Sequence, residues 1–508
     1  MIRIAFLLVI FLVGRAEAQP SPNGGAPTLD AGRIVSVYSE ALAFMAPRIL
    51  EPIPVSQLTL WGLKGLAAID TNVGLAVREG NLLITRRGQP LPEILLPTDE
   101  APGTWASVAA QATAALYSVS PPLRRAGVQT IIQAFFDELF SHLDPYSRYV
   151  PPVEAAEDRA QRSGRAGIGV TLERRGRVIV IAGVIRDSPA SIAGIQPGEV
   201  ILSIDGQRAT NQDPMTISSL LAGAPGTPVA LTTRSRDGRV REHLMTRVMV
   251  PPETVFAERN ADVLVLRVTS FSQTTASHIA LSVQDAMAEP RPVSGIVLDL
   301  RDNRGGLLRQ AVTAADTFLP DGIIVTTAGR DPEAAHIWRS AEGELARNVP
   351  LVVLVDGRTA SAAEVLAAAL SDRGRAVVVG SSTVGKGLVQ TIDPMPDGGE
   401  LFVTWSRLIA PLGWPIQGLG VLPQVCTSVG ADLLNRQIAA LGDGVQPMMA
   451  ALRMARASRV PVSPERELSV RAACPAAEGR AADLAVARRL IANPAAYAAA
   501  LFAPFAGR

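Results

Sequence analysis

The chain has 508 residues, of which 48% are hydrophobic and 19% are charged. This length allows about three domains, and the composition excludes global disorder. The formal net charge of +1 gives no reason to expect binding to nucleic acid or to an acidic membrane surface. Two lysines, Lys64 and Lys386, accompany many arginines. Because a lysine can lose its proton in a protein and an arginine cannot, a lysine inside a motif is a candidate for acid–base chemistry.

The N-terminal sequence MIRIAFLLVIFLVGRAEAQP has the features of a secretory signal. Arg3 supplies the positive start, residues 4–13 form an apolar run that is short for a bilayer, and Ala16-Glu17-Ala18 is a small-x-small cleavage site. We therefore expect residues 1–18 to be removed and the mature protein to be periplasmic or secreted. The alternative is an uncleaved membrane anchor. No later run is long and apolar enough to predict a transmembrane helix.

Residues 27–160 predict a helical N-terminal region that carries a small β insertion. The predicted elements are helices near 31–68, 104–117 and 122–140, and a β-hairpin or meander at 72–97. The region contains the sequence LDPYSRY at 143–149 and ends in a charged stretch, 154–165, which we interpret as a linker.

Residues 164–250 predict a β-rich domain. The loop before its first strand pair consists of Gly167, Ile168, Gly169 and Val170. Downstream, the run SPASIAGIQPGEVILSIDGQRA (188–209) predicts a short helix that begins at a proline, then a turn and a strand closed by Asp-Gly. Alone, the loop also fits a tight turn. With the downstream run it resembles the PDZ domains of bacterial proteases, which implies that the loop N–H groups bind a peptide's C-terminal carboxylate while the peptide adds a strand.

Residues 251–425 alternate apolar runs with helical patterns, which predicts an α/β domain. The predicted strands lie at 263–268, 295–300, 350–355 and 376–380, and the predicted helices at 274–288, 307–318 and 361–371. Three motifs lie at the ends of these strands: GIVLDLRDNRGGLL (295–308), LVVLVDGRTASAAEVLAAALSD (351–372) and VVVGSSTVGKGLVQT (377–391).

Ser361 in the second motif is the candidate nucleophile. It begins a helix, so unpaired backbone N–H groups and the positive end of the helix dipole surround it. Such groups can stabilise an oxyanion, and the N–H of Ala362 is a natural donor. In the first motif, Gly306, which follows Gly305, offers a second backbone donor at a neighbouring strand end, where no Cβ blocks the approach.

Lys386 in the third motif is the candidate base. The four histidines lie outside the three motifs, at His142, His243, His278 and His336. A lysine that is desolvated among Val384, Leu388 and glycines has a lowered pKa and can take the proton of a serine hydroxyl. Gln390 can orient this lysine, since residues 386, 388 and 390 share one face if the stretch is a strand.

Ser361 in TASAAE, Lys386 in GKG and Gln390 occur in the order of the Ser–Lys–Gln triad of the C-terminal processing proteases. The chain thus resembles these tail-specific S41 peptidases over about residues 120–425, including LDPYSRY. The resemblance implies an α/β protease core of the ClpP/crotonase type with an inserted PDZ domain. It also implies a serine-type endopeptidase that needs no cofactor and acts on exported proteins chosen by their C-termini.

Two alternatives compete with this interpretation. Residues 380–386 fit the P-loop pattern G-x-x-x-x-G-K after a strand, but position 387 is Gly rather than Ser or Thr, and turn residues break the following sequence. The second alternative is a non-enzymatic PDZ scaffold on an inactive protease core. The presence of Ser361, Lys386 and Gln390 argues against it.

The C-terminal region, 426–508, is rich in Ala and Arg and predicts helices, with no motif that indicates a function. Cys426 and Cys474 are the two cysteines of the chain. In an exported protein such a pair predicts one disulfide, and two buried free thiols are the alternative. Neither cysteine has a metal-ligand neighbour at suitable spacing, so we expect no metal site. The sequence leaves the physiological substrate, the oligomeric state and any adaptor protein open.

Overall fold

The computed structural model describes residues 29–341 and 343–502, and the predicted signal segment, residues 1–18, lies outside these ranges. The helices of the N-terminal region are α1 (Ala31–Arg48), α2 (Val55–Lys64), α3 (Leu66–Ile69), α4 (Pro102–Val119) and α5 (Pro121–Ser141). Prolines occupy the first turns of α4 and α5, where the helix has no use for the missing N–H. The side chain of Ser120 caps α5 by accepting a hydrogen bond from the N–H of Leu123 at 3.3 Å.

The β insertion is a small antiparallel sheet. Its strands are β1 (Val73–Arg78), β2 (Asn81–Arg86), β3 (Gln89–Pro90) and β4 (Ile94–Leu95). Leu82 of β2 joins the helices in one hydrophobic cluster, in which Tyr38 stacks on Phe135 with 3.9 Å between ring centroids. The same cluster includes Leu401 and Val403, so the N-terminal region shares a core with the later α/β domain.

The charged stretch 154–165 is largely helical, and its interpretation as a linker was wrong. Strand β5 spans Arg148–Val150 and helix α6 spans Pro152–Ser163. Arg159 and Arg162 of α6 pair with the buried carboxylate of Glu400, with N–O distances of 3.1 and 2.7 Å. The charges therefore fasten this helix to the α/β domain.

The β-rich segment follows directly after α6. Its elements are β6 (Arg165–Gly167), β7 (Val170–Arg175), β8 (Val178–Val184), α7 (Pro189–Ile192), β9 (Val200–Ile204), β10 (Gln207–Arg208), α8 (Pro214–Leu221), β11 (Pro228–Arg234), β12 (Val240–Thr246) and β13 (Val248–Val250). The sheet has the order β12-β11-β9-β8-β7, with β10 on β9, while β6 pairs with β13. Strand β7 therefore lies at an end of the sheet, beside α8.

The α/β domain contains two sheets. Its elements are β14 (Val255–Asn260), β15 (Val263–Val268), α9 (Thr275–Ala288), β16 (Gly295–Asp299), α10 (Leu308–Asp316), β17 (Ile323–Ala328), a 3-10 turn (Pro332–Ala334), β18 (His336–Arg339), β19 (Leu351–Val355), α11 (Ala362–Asp372), β20 (Val377–Gly380), β21 (Leu388–Pro394), β22 (Glu400–Ile409) and β23 (Val425–Cys426). The first sheet has the order β14-β15-β16-β19-β20-β23 and is parallel from β15 to β23. The second is antiparallel, in the order β18-β17-β22-β21 with β5 on β22.

The parallel sheet positions the three sequence motifs. Strands β16, β19 and β20 are buried along their whole length, as their continuous apolar runs require. Because the carboxyl ends of parallel strands meet at one edge of a sheet, the segments that follow these strands lie side by side. These segments carry Gly306, Ser361 and Lys386.

The C-terminal region covers one face of the parallel sheet. Its helices are α12 (Ala431–Gly442), α13 (Met449–Arg456), α14 (Pro464–Ala472), α15 (Ala481–Ile491) and α16 (Pro494–Ala500). Leu490 of α15 packs in a cluster with Val352 and Val377 of the sheet. The structure joins Cys426 and Cys474 in a disulfide. Within residues 29–341 and 343–502, no helix combines the length and apolarity needed to cross a membrane, and no group of three acidic, His or Cys side chains is arranged for a metal ion.

Candidate active site

Ser361 lies in the turn between β19 and α11. Its backbone has φ 57° and ψ −119°, a conformation that is strained for any residue with a side chain. The carboxylate of Asp356 in this turn accepts a hydrogen bond from the N–H of Asp302 at 3.0 Å. The N–H of Ala360 donates to the carbonyl of Asn303 at 2.9 Å. These bonds fasten the strained turn to the segment that follows β16.

Two backbone N–H groups beside Ser361, those of Ala362 and Gly306, have no acceptor in the part of the chain that the structure describes. A Cβ on Gly305 would lie 3.0 Å from the nitrogen of Ala362, and a Cβ on Gly306 would lie 2.2 Å from the carbonyl oxygen of Phe271. Glycine at 305 therefore allows the loop to pack directly on the Ser361 turn, and glycine at 306 allows it to pack on the backbone of Phe271. The two free N–H groups are suited to bind a negatively charged oxygen.

Lys386 lies in the loop between β20 and β21, and its side chain is partly buried. Its Nζ is 4.8 Å from the centroid of the Tyr146 ring. Burial lowers the pKa of Lys386, the nearby charge of Arg148 lowers it further, and Asp144 and Glu364 act in the opposite direction. The net effect favours the neutral amine, which is the form that accepts a proton.

Glu364 connects the Ser361 turn with the Lys386 loop. One carboxylate oxygen accepts hydrogen bonds from the N–H of Ser361 at 2.7 Å and of Lys386 at 2.9 Å. The other accepts from the N–H of Gly385 at 2.7 Å and from the hydroxyl of Thr383. Burial raises the pKa of Glu364, and these four donors oppose the rise. Sequence reasoning missed this residue, because a glutamate in the first turn is an ordinary feature of a helix start.

Gln390 lies on β21, four residues after Lys386. The expected strand begins only at Leu388, so Lys386 lies in the preceding loop and the prediction of one shared strand face does not hold. Gln390 Nε2 donates to the hydroxyl oxygen of Thr404 at 3.0 Å and to the carbonyl of Leu388 at 3.2 Å. Among the described residues no hydrogen bond joins Gln390 to Lys386, although both line the same cavity.

This catalytic cavity has a volume of about 550 Å³. The predicted residues that line it are Ser361, Lys386, Gln390, Gly305 and Gly306. None of the four histidines, all of which the structure describes, is among its lining residues. His142 stacks on Trp61 with 4.5 Å between ring centroids, and His336 packs edge-on against Trp338.

The P-loop alternative is inconsistent with the structure. In a P-loop the lysine is followed by Ser or Thr and by a helix whose N-terminus binds the phosphates. Here Lys386 is followed by Gly387 and then by strand β21. The loop therefore lacks the helix that a nucleotide site requires.

A second cavity, the peptide groove, has a volume of about 510 Å³ and lies between β7 and α8. Its lining includes the four predicted loop residues Gly167, Ile168, Gly169 and Val170. The N–H groups of Ile168 and Gly169 have no acceptor within the described ranges. Gly169 has φ 81°, and a Cβ there would lie 2.2 Å from Ser188. Gln161 of α6 lines both this groove and the catalytic cavity.

The segment from Cys474 to Ala477 forms hydrogen bonds with both the Lys386 loop and the Ser361 turn. The hydroxyl of Ser382, in the Lys386 loop, donates to the carbonyl of Cys474 at 2.6 Å. The N–H of Gly357, in the Ser361 turn, donates to the carbonyl of Ala477 at 2.7 Å. The disulfide to Cys426 anchors the start of this segment beside β23.

The chain is similar to known peptidases across both of the regions that contain these cavities. The model of peptidase family S41 matches residues 262–427, and that of the PDZ domain matches residues 180–235. A carboxy-terminal-processing protease of Bartonella bacilliformis is 33% identical over 301 residues, which cover 58% of this chain and 69% of that protein. The carboxy-terminal processing protease CtpA of Bacillus subtilis is 33% identical over 285 residues, which cover 56% of this chain and 60% of that protein.

Among solved structures, the photosystem II D1 C-terminal processing protease is 25% identical with a TM-score of 0.38, covering 75% of this chain and 97% of that one. The sequence matches define the class first: the chain is a serine peptidase with a PDZ domain. Within that class it belongs to the S41 family of carboxy-terminal processing proteases.

Proposed function

We propose that the chain is an exported serine endopeptidase of the Ser–Lys type, which cleaves protein substrates that its PDZ domain selects by their C-termini. The observation that carries this proposal is the catalytic cavity, which Ser361 and Lys386 line together and no histidine lines. Burial lowers the pKa of Lys386, so its amine is disposed to act as a base.

In the proposed reaction, the neutral amine of Lys386 takes the hydroxyl proton of Ser361 while Oγ attacks the substrate carbonyl carbon. The negative oxygen of the tetrahedral intermediate accepts hydrogen bonds from the N–H groups of Ala362 and Gly306. Lys386 then gives its proton to the leaving amine as the peptide bond breaks. A water molecule, deprotonated by the same lysine, then attacks the acyl-enzyme. As the ester bond breaks, Lys386 returns this proton to Ser361 Oγ, which restores the hydroxyl and the neutral amine. Gln390 orients the lysine throughout.

The peptide groove is proposed to bind the substrate's C-terminus. The terminal carboxylate accepts hydrogen bonds from the free N–H groups of Ile168 and Gly169, in the loop from Gly167 to Val170, while the peptide adds a strand along β7. The apolar terminal side chain lies against Leu221 of α8, which also lines the groove. No cofactor or metal takes part in the proposed reaction.

The same proposal extends to the domain organisation. We assign residues 27–160 to the helical N-terminal region, 164–250 to the PDZ domain, 251–425 to the protease core and 426–508 to the helical C-terminal region. The succession of parallel strands from β15 to β23, with helices between them, supports a core of the ClpP/crotonase type.

The experiment compares peptides that carry the same apolar C-terminus as a free acid or as an amide. The full mature protein should cleave the acid faster, and Ser361→Ala should cleave neither while still binding the acid. Equal cleavage of both peptides would remove the C-terminal selection from the proposal and leave the catalysis intact. Peptide binding without any hydrolysis by the unsubstituted protein would indicate a PDZ scaffold on an inactive core.

Export is tested separately by N-terminal sequencing of the protein from its native host. The proposal expects a mature N-terminus at Gln19, in a soluble periplasmic or extracellular fraction. An N-terminus at Met1 in a membrane fraction would contradict it.

A further inference from the structure

The turn between α5 and β5, residues 144–148, adjoins the catalytic cavity, which Arg148 lines, and the ring of Tyr146 lies 4.8 Å from Lys386 Nζ. The proposed mechanism gives this turn no role. Asp144 begins this turn. Its carboxylate accepts hydrogen bonds from the N–H of Tyr146 at 2.9 Å and from the N–H and hydroxyl of Ser147 at 3.0 and 2.5 Å. A fourth donor is the hydroxyl of Thr404 at 2.7 Å. With four donors around it, the carboxylate acts as an acceptor only.

This arrangement fixes the polarity of the next hydrogen bond. The hydroxyl of Thr404 has one hydrogen, and that hydrogen goes to Asp144. The oxygen of Thr404 therefore offers only lone pairs to its second partner, the side-chain amide of Gln390 at 3.0 Å. The NH2 end of the amide must face Thr404, since the carbonyl end would place two acceptors together. The remaining end, Oε1, has no hydrogen-bond partner in the described part of the chain.

We propose that Asp144, acting through Thr404, is a positioning residue that holds the Gln390 amide with its carbonyl toward Lys386. The carbonyl then accepts an N–H of the lysine, which directs the nitrogen lone pair toward Ser361. If the amide were reversed, its NH2 group would face the N–H groups of the amine. This inference rests on the proposed Ser–Lys mechanism.

The location of the two residues separates their effect from substrate binding. Asp144 and Thr404 are absent from the lining of the catalytic cavity that Gln390 and Lys386 share. Both line another cavity, of about 340 Å³, which shares Leu388 with the catalytic cavity. A change at Thr404 should therefore alter turnover through Gln390 and leave substrate affinity unchanged.

The principal test is Thr404→Val, which keeps the β-branched shape and removes the hydroxyl. We expect kcat to fall roughly tenfold, the effect of one hydrogen bond to a charged group, with KM unchanged. The acidic limb of the kcat–pH profile should shift to lower pH, because a carbonyl that accepts from the ammonium stabilises the protonated lysine. Arg148, Asp144 and Glu364, the charged groups that act on Lys386, are unchanged in this variant.

Two comparisons distinguish positioning from general disruption. Thr404→Ser restores the hydroxyl. It should recover kcat and return the acidic limb of the kcat–pH profile to its position in the unsubstituted enzyme. Thr391→Val makes the same change beside Gln390 on β21, at a residue with no side-chain hydrogen bond within the described ranges, and should resemble the unsubstituted enzyme. Loss of kcat in Thr404→Val and Thr404→Ser alike, with an unshifted limb, would overturn the proposal.

A double-mutant cycle keeps the test independent of the folding of one variant. Gln390→Met removes the carbonyl directly and should reproduce the loss of kcat and the shifted limb. Because Thr404 acts through Gln390, the double variant should be no worse than Gln390→Met alone, and additive losses would overturn the proposal. Lys386→Arg in the same assay separates a failure of the Ser–Lys mechanism from a failure of the positioning role. If it is active, the Ser–Lys mechanism fails; if it is inactive while Thr404→Val is unaffected, only the positioning role fails.

Discussion

The catalytic cavity and the peptide groove present different parts of the chain to a substrate. In the catalytic cavity the proposed reacting groups are the side chains of Ser361 and Lys386, and the buried carboxylate of Glu364 accepts hydrogen bonds from the backbone N–H groups of both residues. In the peptide groove the free donors are the backbone N–H groups of Ile168 and Gly169, and the side chain of Ile168 is buried in the domain core.

This difference determines which substitutions each site tolerates. The chemistry of the cavity depends on the identity of particular side chains, so a change that conserves shape is still expected to abolish turnover. The groove depends on the conformation of its loop, so its side chains can vary as long as the backbone keeps its path. The predictions below use this contrast, from the largest expected effect to the smallest.

Glu364→Gln should produce the largest effect among residues outside the proposed triad. One carboxylate oxygen accepts from the N–H groups of Ser361 and Lys386, and the other accepts from Gly385 and Thr383. The amide of glutamine would turn its NH2 group toward one of these two pairs of donors. We expect kcat to fall at least about 100-fold and stability to fall by about 2–3 kcal/mol. Steady-state kinetics and denaturant unfolding measure the two effects.

Asp372→Asn is the matched control for Glu364→Gln. Asp372 is also a fully buried acid of α11, but it binds Arg456 and Trp414 at the opposite end of the helix. The Asp372→Asn variant should lose about as much stability as Glu364→Gln and keep the turnover of the unsubstituted enzyme. Equal loss of turnover in both variants would show that Glu364 contributes only to folding.

The two sites should also differ in their response to pH. A lysine protonated below its folded-state pKa cannot act as a base, so kcat/KM should rise with pH. Because burial lowers the pKa of Lys386, the apparent pKa of this rise should lie below the free value of about 10.4. Peptide binding to the groove should stay flat between about pH 6 and 9, since backbone donors do not titrate and the peptide carboxylate is already ionised. If kcat/KM does not change with pH, or if peptide binding rises with pH in the same way as kcat/KM, the proposed difference between the two sites is wrong.

Gly169→Ala tests the dependence of the groove on its backbone. The added Cβ would lie 2.2 Å from Ser188, so the loop must move. We expect KM for a free-acid peptide to rise roughly tenfold, as loss of hydrogen bonds to a carboxylate implies, while kcat is retained. Gly176→Ala is the control: it also has a positive φ, of 63°, but nothing within 4 Å of the added atom. Equal effects of the two substitutions would remove the loop from substrate recognition.

Removing the disulfide should have the smallest effect on turnover. The Cys426→Ser, Cys474→Ser double variant should lose about 2–4 kcal/mol of stability, because the cross-link no longer restricts the unfolded chain. Its kcat should fall only a few-fold, since the backbone carbonyl of residue 474 still accepts the hydrogen bond from Ser382. A reducing agent should reproduce the effect in the unsubstituted protein and not change the double variant. Two alkylatable thiols in unreduced exported protein would contradict the pairing.

The sequence predicted the elements whose patterns are local. Strands such as β16 and β19 are continuous apolar runs, and helix α11 follows a serine at its N-cap. Their order along the chain was sufficient to place Gly306, Ser361 and Lys386 at one edge of a parallel sheet. Helix α6 was misinterpreted because its charges look like those of a solvated linker, whereas two of its arginines pair with Glu400 of a distant strand.

The parts that could not be predicted depend on contacts between distant segments. Thr404 lies on β22, a strand that sequence reasoning did not identify, and its bond to Asp144 joins segments 260 residues apart. Glu364 likewise acts on the Lys386 loop rather than only on its own helix. Both residues have ordinary local roles in the sequence, and only the fold brings them to the proposed base.

The turnover of Lys386→Arg tests the central claim most directly. Arginine keeps the positive charge, but it stays protonated at any working pH and so cannot act as a base. We predict that kcat falls to the level of Ser361→Ala, while folding and binding of a free-acid peptide to the groove are retained. Near-native turnover of Lys386→Arg would contradict the Ser–Lys mechanism and would require another base for Ser361.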